Sequence, residues 1–384
     1  MRTLLLASVL SLVPLAAFAD LAISAHDGKQ IRDDKGPAKD QIVVISFGSA
    51  KPAVIGSVEA PASMIGPPTS LAVARDYSFA IVTCGQKLDA SNKLQLDDVV
   101  TVIGLDDPTK PKVLQTLHAG PGAMGVSMNR AKTLAMVAAS GEGAVYVYAI
   151  ADRHLTQVGK IDLGAKSEPR DVIFAPDGKN AYVVGWGNGK LTKLAINGTT
   201  VTRVGDIMTG IDPAGQAINN IDGGDISRDG RYLYNTAFNG TPMSAQKTGT
   251  IAVTDLRSFK LVASTVVGDG TENLTLSPDG KYMAITILNG TAMVRSAPNF
   301  STVLGKLKLY AVDGPKLTFV AEADTGHNCQ GTAFSDDGKA ILLQCATEKE
   351  IELFRFDGKS LTRDMGATLT FDGRPGAIAT NKTR

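Results

Sequence analysis

Residues 273–287 read NLTLSPDGKYMAITI: a short apolar strand, the turn Ser277-Pro278-Asp279-Gly280-Lys281, and a second apolar strand. Asp-Gly between two such runs is a strong hairpin signal, because glycine tolerates the positive φ that a tight turn needs. The unit returns at Ala175-Pro176-Asp177-Gly178-Lys179, Ser227-Arg228-Asp229-Gly230-Arg231 and Ser335-Asp336-Asp337-Gly338-Lys339, with weaker copies around Asp76 (VARDYSFAIV) and Asn129 (VSMNRAKTLAMV). Between equivalent turn residues the intervals are 53, 48, 52, 50 and 58 residues. Each unit has room for four strands, in the third DVIFA (171–175), NAYVVG (180–185), KLTKLAI (190–196) and TVTRVGDI (200–207). A four-stranded antiparallel sheet repeating at that spacing reads as one propeller blade, since a lone sheet cannot bury both its faces. A helical solenoid is excluded, because no apolar period of 3.6 residues is sustained.

Six units are visible, and the two ends supply a seventh. Gly376-Ala377-Ile378-Ala379-Thr380-Asn381 matches a first strand and stops. LAISAH (21–26), QIVVISF (41–47) and PAVIGSV (52–58) supply the three that should follow. The expectation is an all-β, seven-bladed β-propeller of four-stranded antiparallel blades, forming one domain over residues 20–384. The C-terminal strand joins three N-terminal strands to close the ring, which removes exposed sheet edges.

Composition agrees with this. Of 384 residues 43% are apolar and 20% charged, with 40 glycines, one Trp and a formal net charge of +1. A chain so nearly neutral has no electrostatic footprint for nucleic acid. Residues 1–19, MRTLLLASVLSLVPLAAFA, predict a cleaved export signal: one arginine, an apolar run, and Ala17-Phe18-Ala19 as a small-x-small cleavage site. The run is too short to be a membrane span, and a periplasmic location is expected.

SPDGKYMAITILNGT and SRDGRYLYNTAFNGT, the latter leading into GTIAVTDLRSFKLVASTVVG, resemble the YVTN-type β-propeller repeat of bacterial surface and periplasmic proteins. They are also similar to the lactonase-like seven-bladed propellers, and the likeness runs from about residue 69 to 370. Tyr232-Leu233-Tyr234-Asn235-Thr236 is the nearest approach to the signature tetrapeptide. The resemblance implies the fold and, more loosely, hydrolysis of a lactone or ester.

In such a ring the Asp-Gly turns share one face, and the loops between second and third strands lie on the other. Four of those loops are long: 27–40, 85–97, 238–249 and 288–305. Long loops on a rigid scaffold favour binding residues. Two open alike, with Asn239-Gly240-Thr241-Pro242-Met243 and Asn289-Gly290-Thr291-Ala292-Met293.

Seven places before each turn residue, the innermost strand begins with Thr69, Gly122, Arg170, Asp222, Glu272, Gln330 or Arg374. If these converge on the channel mouth, Arg170 and Arg374 could hold a carboxylate or phosphate. Asp222 and Glu272, on adjacent blades, could serve as a general base or hold a divalent cation through oxygen ligands. Mutual neutralisation of these four charges across the channel is the competing reading. Trp186, in Gly185-Trp186-Gly187, is either a stacking platform on that rim or a wedge between blades.

Cys329 and Cys345 lie on hairpinned strands and are expected to form a disulfide in an oxidising compartment, leaving Cys84 unbridged. A soft-metal site of His327, Cys329 and Cys345, with His26, is the alternative. It lacks the compact ligand spacings of known centres, so no metal or cofactor is expected. No nucleophile elbow, phosphate loop or metalloprotease motif is present.

The main expectation is a monomeric, non-catalytic propeller that binds a small molecule or protein at its channel mouth through Arg170, Asp222, Glu272, Gln330, Arg374, His327 and Trp186. The alternative is a lactonase-like hydrolase in which Asp222 or Glu272 activates water and Arg170 or Arg374 stabilises the oxyanion.

Overall fold

The computed structural model describes residues 20–382 except 29–37, 49, 65, 213, 219 and 239–247. The expected export signal, part of the first long loop and the Asn239–Met243 motif therefore lie outside the described residues.

Seven antiparallel sheets form a ring. Blade 1 runs from its inner strand Leu71–Val73 through Phe79–Leu88 and Leu94–Gly104 to Lys112–His118. Blade 3 comprises Pro169–Phe174, Asn180–Gly185, Lys190–Asn197 and Thr200–Met208, close to the segments read from the sequence. The inner strands of blades 2, 4, 5 and 6 are Ala123–Met128, Asn220–Ile226, Thr271–Leu276 and Cys329–Phe334. Blade 7 joins Arg374–Ala379 to Leu21–Asp27, Gln41–Ser46 and Ala53–Glu59. Its closing ladder matches Ile23 with Ala379, Ser24 with Ile378 and Asp27 with Arg374. Tyr77 Oη on blade 1 donates to Leu21 O (2.8 Å), and Asn381 Nδ2 donates to Arg75 O (2.7 Å), fastening the seam on that side.

The inter-strand turns follow from their side chains. In the four strong copies glycine takes φ between 67° and 74°. The preceding aspartate accepts the backbone N–H two residues on, as Asp279 does from Lys281 at 3.0 Å. Ser227, Ser277 and Ser335 each donate to the turn aspartate at 2.6 Å. The aspartates are thus structural pins.

Apolar residues gather in seven clusters, each filling the gap between two neighbouring blades. Leu21, Ile23 and Ala377 of blade 7 meet Leu71, Val73 and Val82 of blade 1. Ring closure is therefore a packed core as well as a ladder, and each blade is stabilised mainly through its neighbours.

One loop differs from expectation. Residues 85–97 extend a two-stranded arm, pairing Gln86 with Leu96 and Leu88 with Leu94. Asp89 ends it by accepting the N–H groups of Ser91 (2.8 Å) and Lys93 (2.9 Å). The arm leans Leu96 against Gly122 and Gly141 of blade 2, which gives the extra pairing an apolar footing.

Candidate functional site

The inner strands of blades 2 to 6 share an irregularity where they begin. In blade 3, Pro169 pairs with Gly185 and Asp171 with Val184, so Arg170 is an extra residue in the ladder. In blade 5, Thr271 pairs with Ile287 and Asn273 with Thr286, which leaves Glu272 outside the pairing. The same shift falls between Ile221 and Gly224 in blade 4, at Asp222, and between Cys329 and Thr332 in blade 6, at Gln330. A β-bulge releases a side chain from strict alternation and re-aims it, often beside a functional site. Here it does so on four successive blades.

Those side chains meet. Glu272 is only 6% exposed, and its carboxyl is pushed up to about 8 by burial first and the Asp222 charge second, against the opposing pull of Arg170. Gln330 Nε2 donates to Glu272 Oε1 at 3.4 Å, while buried Oε2 receives no hydrogen bond from any described residue. Thr69 Oγ1 donates to Arg170 O at 3.2 Å, binding the start of blade 1 to the bulge of blade 3. The Arg170 guanidinium lies 4.7 Å from the centre of the Trp186 ring, and that ring meets Phe238 edge-on at 5.4 Å. Trp186 is therefore a platform for Arg170 on the rim, in a cation–π arrangement. Gly66 (φ 82°) crosses beside Gln330, where any Cβ would come within 2.5 Å of Gln330 Oε1. The connection into blade 1 thus packs directly on the cluster.

A protonated carboxyl, a second carboxyl on the next blade, a guanidinium and an amide form a set that can donate and accept protons at one point. The geometry joins Arg170, Asp222, Glu272, Gln330 and Trp186.

Arg374 and His327 go elsewhere. Arg374 Nε donates to Asp27 Oδ2 at 3.2 Å, tying the first strand of blade 7 to the second. His327 is stacked on Phe300 at 3.7 Å, with Nδ1 2.5 Å from Glu348 Oε1 and Nε2 2.7 Å from Phe300 O. It anchors the long loop 288–305 to blade 6. Arg295 of that loop adds bonds to Thr347 O (3.2 Å) and Glu348 O (3.0 Å).

The Cys329 and Cys345 sulfurs are bonded at 2.05 Å directly across the hairpin. His26 is buried against Phe371 and 2.7 Å from Ser24 Oγ, and burial lowers its pKa to about 3. Cys84 is buried with its sulfur 3.5 Å from Asp97 Oδ2.

Sequence reasoning missed Asp171. It accepts the N–H of Val172 (2.8 Å) through one oxygen and that of Gly224 (3.2 Å), in the bulge of blade 4, through the other. It therefore sets Arg170 and Asp222 relative to each other. Only its place beside Arg170 could have flagged it. Asn273, buried next to Glu272, was missed because its position reads as ordinary strand.

The sequence profile of the family described as lactonase, 7-bladed β-propeller matches residues 71–294. A candidate 6-phosphogluconolactonase from Bacteroides fragilis has a similar structure, with TM-score 0.66, 17% identity, and coverage of 95% of this chain and 99% of its own. The periplasmic gluconolactonase PpgL of Pseudomonas aeruginosa follows at TM-score 0.61 and 17% identity, over 80% of this chain and 83% of its own. A hypothetical selenium-binding protein from Sulfolobus tokodaii reaches TM-score 0.67 at 10% identity, over 96% and 95%. At such identities these likenesses establish the fold alone. A search of curated protein sequences gives no match. The profile match covers more than half of the sequence, and the chain belongs to the lactonase family of seven-bladed β-propellers.

Proposed function

We propose that the protein hydrolyses a lactone of a small sugar acid at the mouth formed by Arg170, Asp222, Glu272 and Gln330. The observation that carries this reading is the buried pair Asp222 and Glu272 facing Arg170 in a member of a lactonase family. Such a pair keeps a proton at neutral pH, so one carboxyl can accept while the other donates. Passive binding, the main expectation from the sequence, needs no such arrangement.

The chemistry follows from those roles. The ionised carboxylate takes a proton from water as the water oxygen bonds to the lactone carbonyl carbon. The carbonyl electron pair moves onto oxygen, where the Arg170 guanidinium stabilises the charge. Collapse breaks the ring C–O bond, and the protonated carboxyl delivers its proton to the departing oxygen. One proton then passes between the two carboxyls to restore the pair, and the product leaves as an open-chain hydroxy acid. Gln330 orients Glu272, and Trp186 holds Arg170 in place. The export signal expected from residues 1–19 would place this chemistry outside the cytoplasm; among the described residues no helix is long and apolar enough to cross a membrane.

The test is acid release in a pH-stat from a panel of aldonolactones, phosphorylated and plain. Saturable hydrolysis well above the spontaneous rate is expected for at least one. A folded protein that accelerates none of them would end the reading.

A further inference from the structure

The other end of the channel carries a different chemistry. There the inner strands of blades 1 to 5 stop around a recess of about 110 Å³. Its wall mixes apolar residues such as Met128, Phe174, Ile226 and Leu276 with Asp225 and Ser227, and Arg75, Arg130, Arg228 and Lys382 line it as well. Arg75 and Arg228 each immediately precede a turn aspartate, Asp76 and Asp229, and Arg130 follows the equivalent Asn129. Repetition of the blade thus brings three guanidiniums from far-apart segments to one opening.

The acids nearby are committed to other groups. Asp76 accepts from Lys132 and from Ser78 Oγ (2.7 Å). Asp229 accepts from Ser227 Oγ (2.6 Å) and Arg231 N (3.0 Å). Asp225, in the wall, accepts from Ile226 N (2.8 Å) and Leu276 N (3.0 Å), and Asp336 engages Lys382 Nζ at 3.0 Å. Among the described residues, no carboxylate makes an ion pair with Arg75, Arg130 or Arg228. Arg75 is held below the usual arginine range by burial and then by the charges of Arg130 and Arg228, so each of those two lies close enough to Arg75 to repel it.

We propose that this recess is a second binding site, for a compact dianion: a phosphate group, inorganic or borne as a monoester on a small molecule. Guanidinium groups match phosphate oxygens in planar pairs, and a cleft lined by one sign of charge concentrates counter-ions of the other. The recess suits a group of that size and leaves no room for a folded partner. The site stands on different residues from the proposed lactonase site and does not depend on it.

Thermal unfolding of the full chain at low ionic strength tests this. Inorganic phosphate and glycerol 3-phosphate are each compared with sodium chloride of matched ionic strength. A ligand at about ten times its Kd should raise Tm by about 2 °C beyond the chloride control. The double variant Arg75→Met, Arg228→Met should lose that excess, Arg130→Gln should reduce it, and Arg170→Gln at the opposite mouth should keep it. A larger shift with the monoester identifies an esterified ligand; equal shifts identify the phosphate group alone. Equal shifts by phosphate and chloride would overturn the proposal, as would an excess retained in the double variant or lost in Arg170→Gln. If the double variant fails to fold, calorimetric titration of Arg130→Gln with phosphate decides on the same terms, a several-fold weaker Kd being expected and an unchanged Kd overturning the site.

Discussion

The two ends of the channel are built from the same seven inner strands and hold opposite chemistry. At the upper mouth the inner strands of blades 3 to 6 start with a bulge, and the side chains released there set two buried carboxyls beside a guanidinium and an amide. At the lower mouth most of these strands end in a stereotyped turn whose aspartate is consumed by backbone and side-chain hydrogen bonds, which leaves the flanking arginines to face the opening. Broken pairing stores proton chemistry inside, whereas regular turns display fixed charge outside. One repeat, read at its beginning and at its end, gives both.

The sharpest way to break this contrast is at the upper mouth. Glu272→Gln and Arg170→Gln should each lower kcat/KM for the best lactone by on the order of 10²–10³, as loss of a proton donor or an oxyanion partner does. Both should leave the phosphate-specific shift in Tm intact. The wild-type kcat/KM should also fall above about pH 8, where Glu272 loses its proton. Activity that climbs through that pH would exchange the roles of the two carboxyls.

Next in size is an effect on stability. Glu272 is raised in the folded chain from its ordinary 4.5 to about 8. Between those values the unfolded chain binds fewer protons than the folded one, so stability is fully present below the lower value and declines as pH rises to the upper. The decline should reach up to about 5 kcal/mol by pH 8. Glu272→Gln should flatten this part of the curve and be the more stable protein at pH 8, as read by urea unfolding at pH 5 and pH 8. Parallel curves for the two proteins would mean that the carboxyl is better solvated than its burial implies.

Smaller again is the blade 6 hairpin. Cys329→Ser with Cys345→Ser removes a cross-link between residues 16 apart and should cost about 3 kcal/mol in denaturant unfolding. The smallest effect belongs to the lower mouth: Arg228→Met should raise Tm slightly at low salt by relieving repulsion, and the gain should vanish above about 0.3 M salt. A loss of stability instead would mean that the stem of Arg228, packed beside Gly280, matters more than its charge.

Much of this arrangement was legible in the sequence. Asp-Gly turns at a near-regular interval give the blades, and the unfinished strand at 376–381 gives the closure. A fixed offset from each turn locates Arg170, Asp222, Glu272 and Gln330. The offset carries no information about partners, however. Arg374 occupies the same position and is captured by Asp27, 347 residues away in sequence. His327 is drawn off by Phe300 and Glu348, which reach it only through the fold of a long loop. The arm at 85–97 was misread because its turn, Asp89-Ala90-Ser91-Asn92, has no glycine to announce it. Bulges themselves leave no periodic mark, since one unpaired residue changes the pattern no more than an ordinary substitution does.

Blade 7 also fixes the order in which the protein can become complete. Until Arg374–Ala379 has been made, Leu21–Asp27 offers an open row of amides and carbonyls, and the innermost part of the packing of blade 7 on blades 1 and 6 is missing Ala377, Ile378 and Ala379. A chain not yet extended through this segment therefore stays an unclosed arc, and the six residues Arg374–Ala379 convert it into a ring.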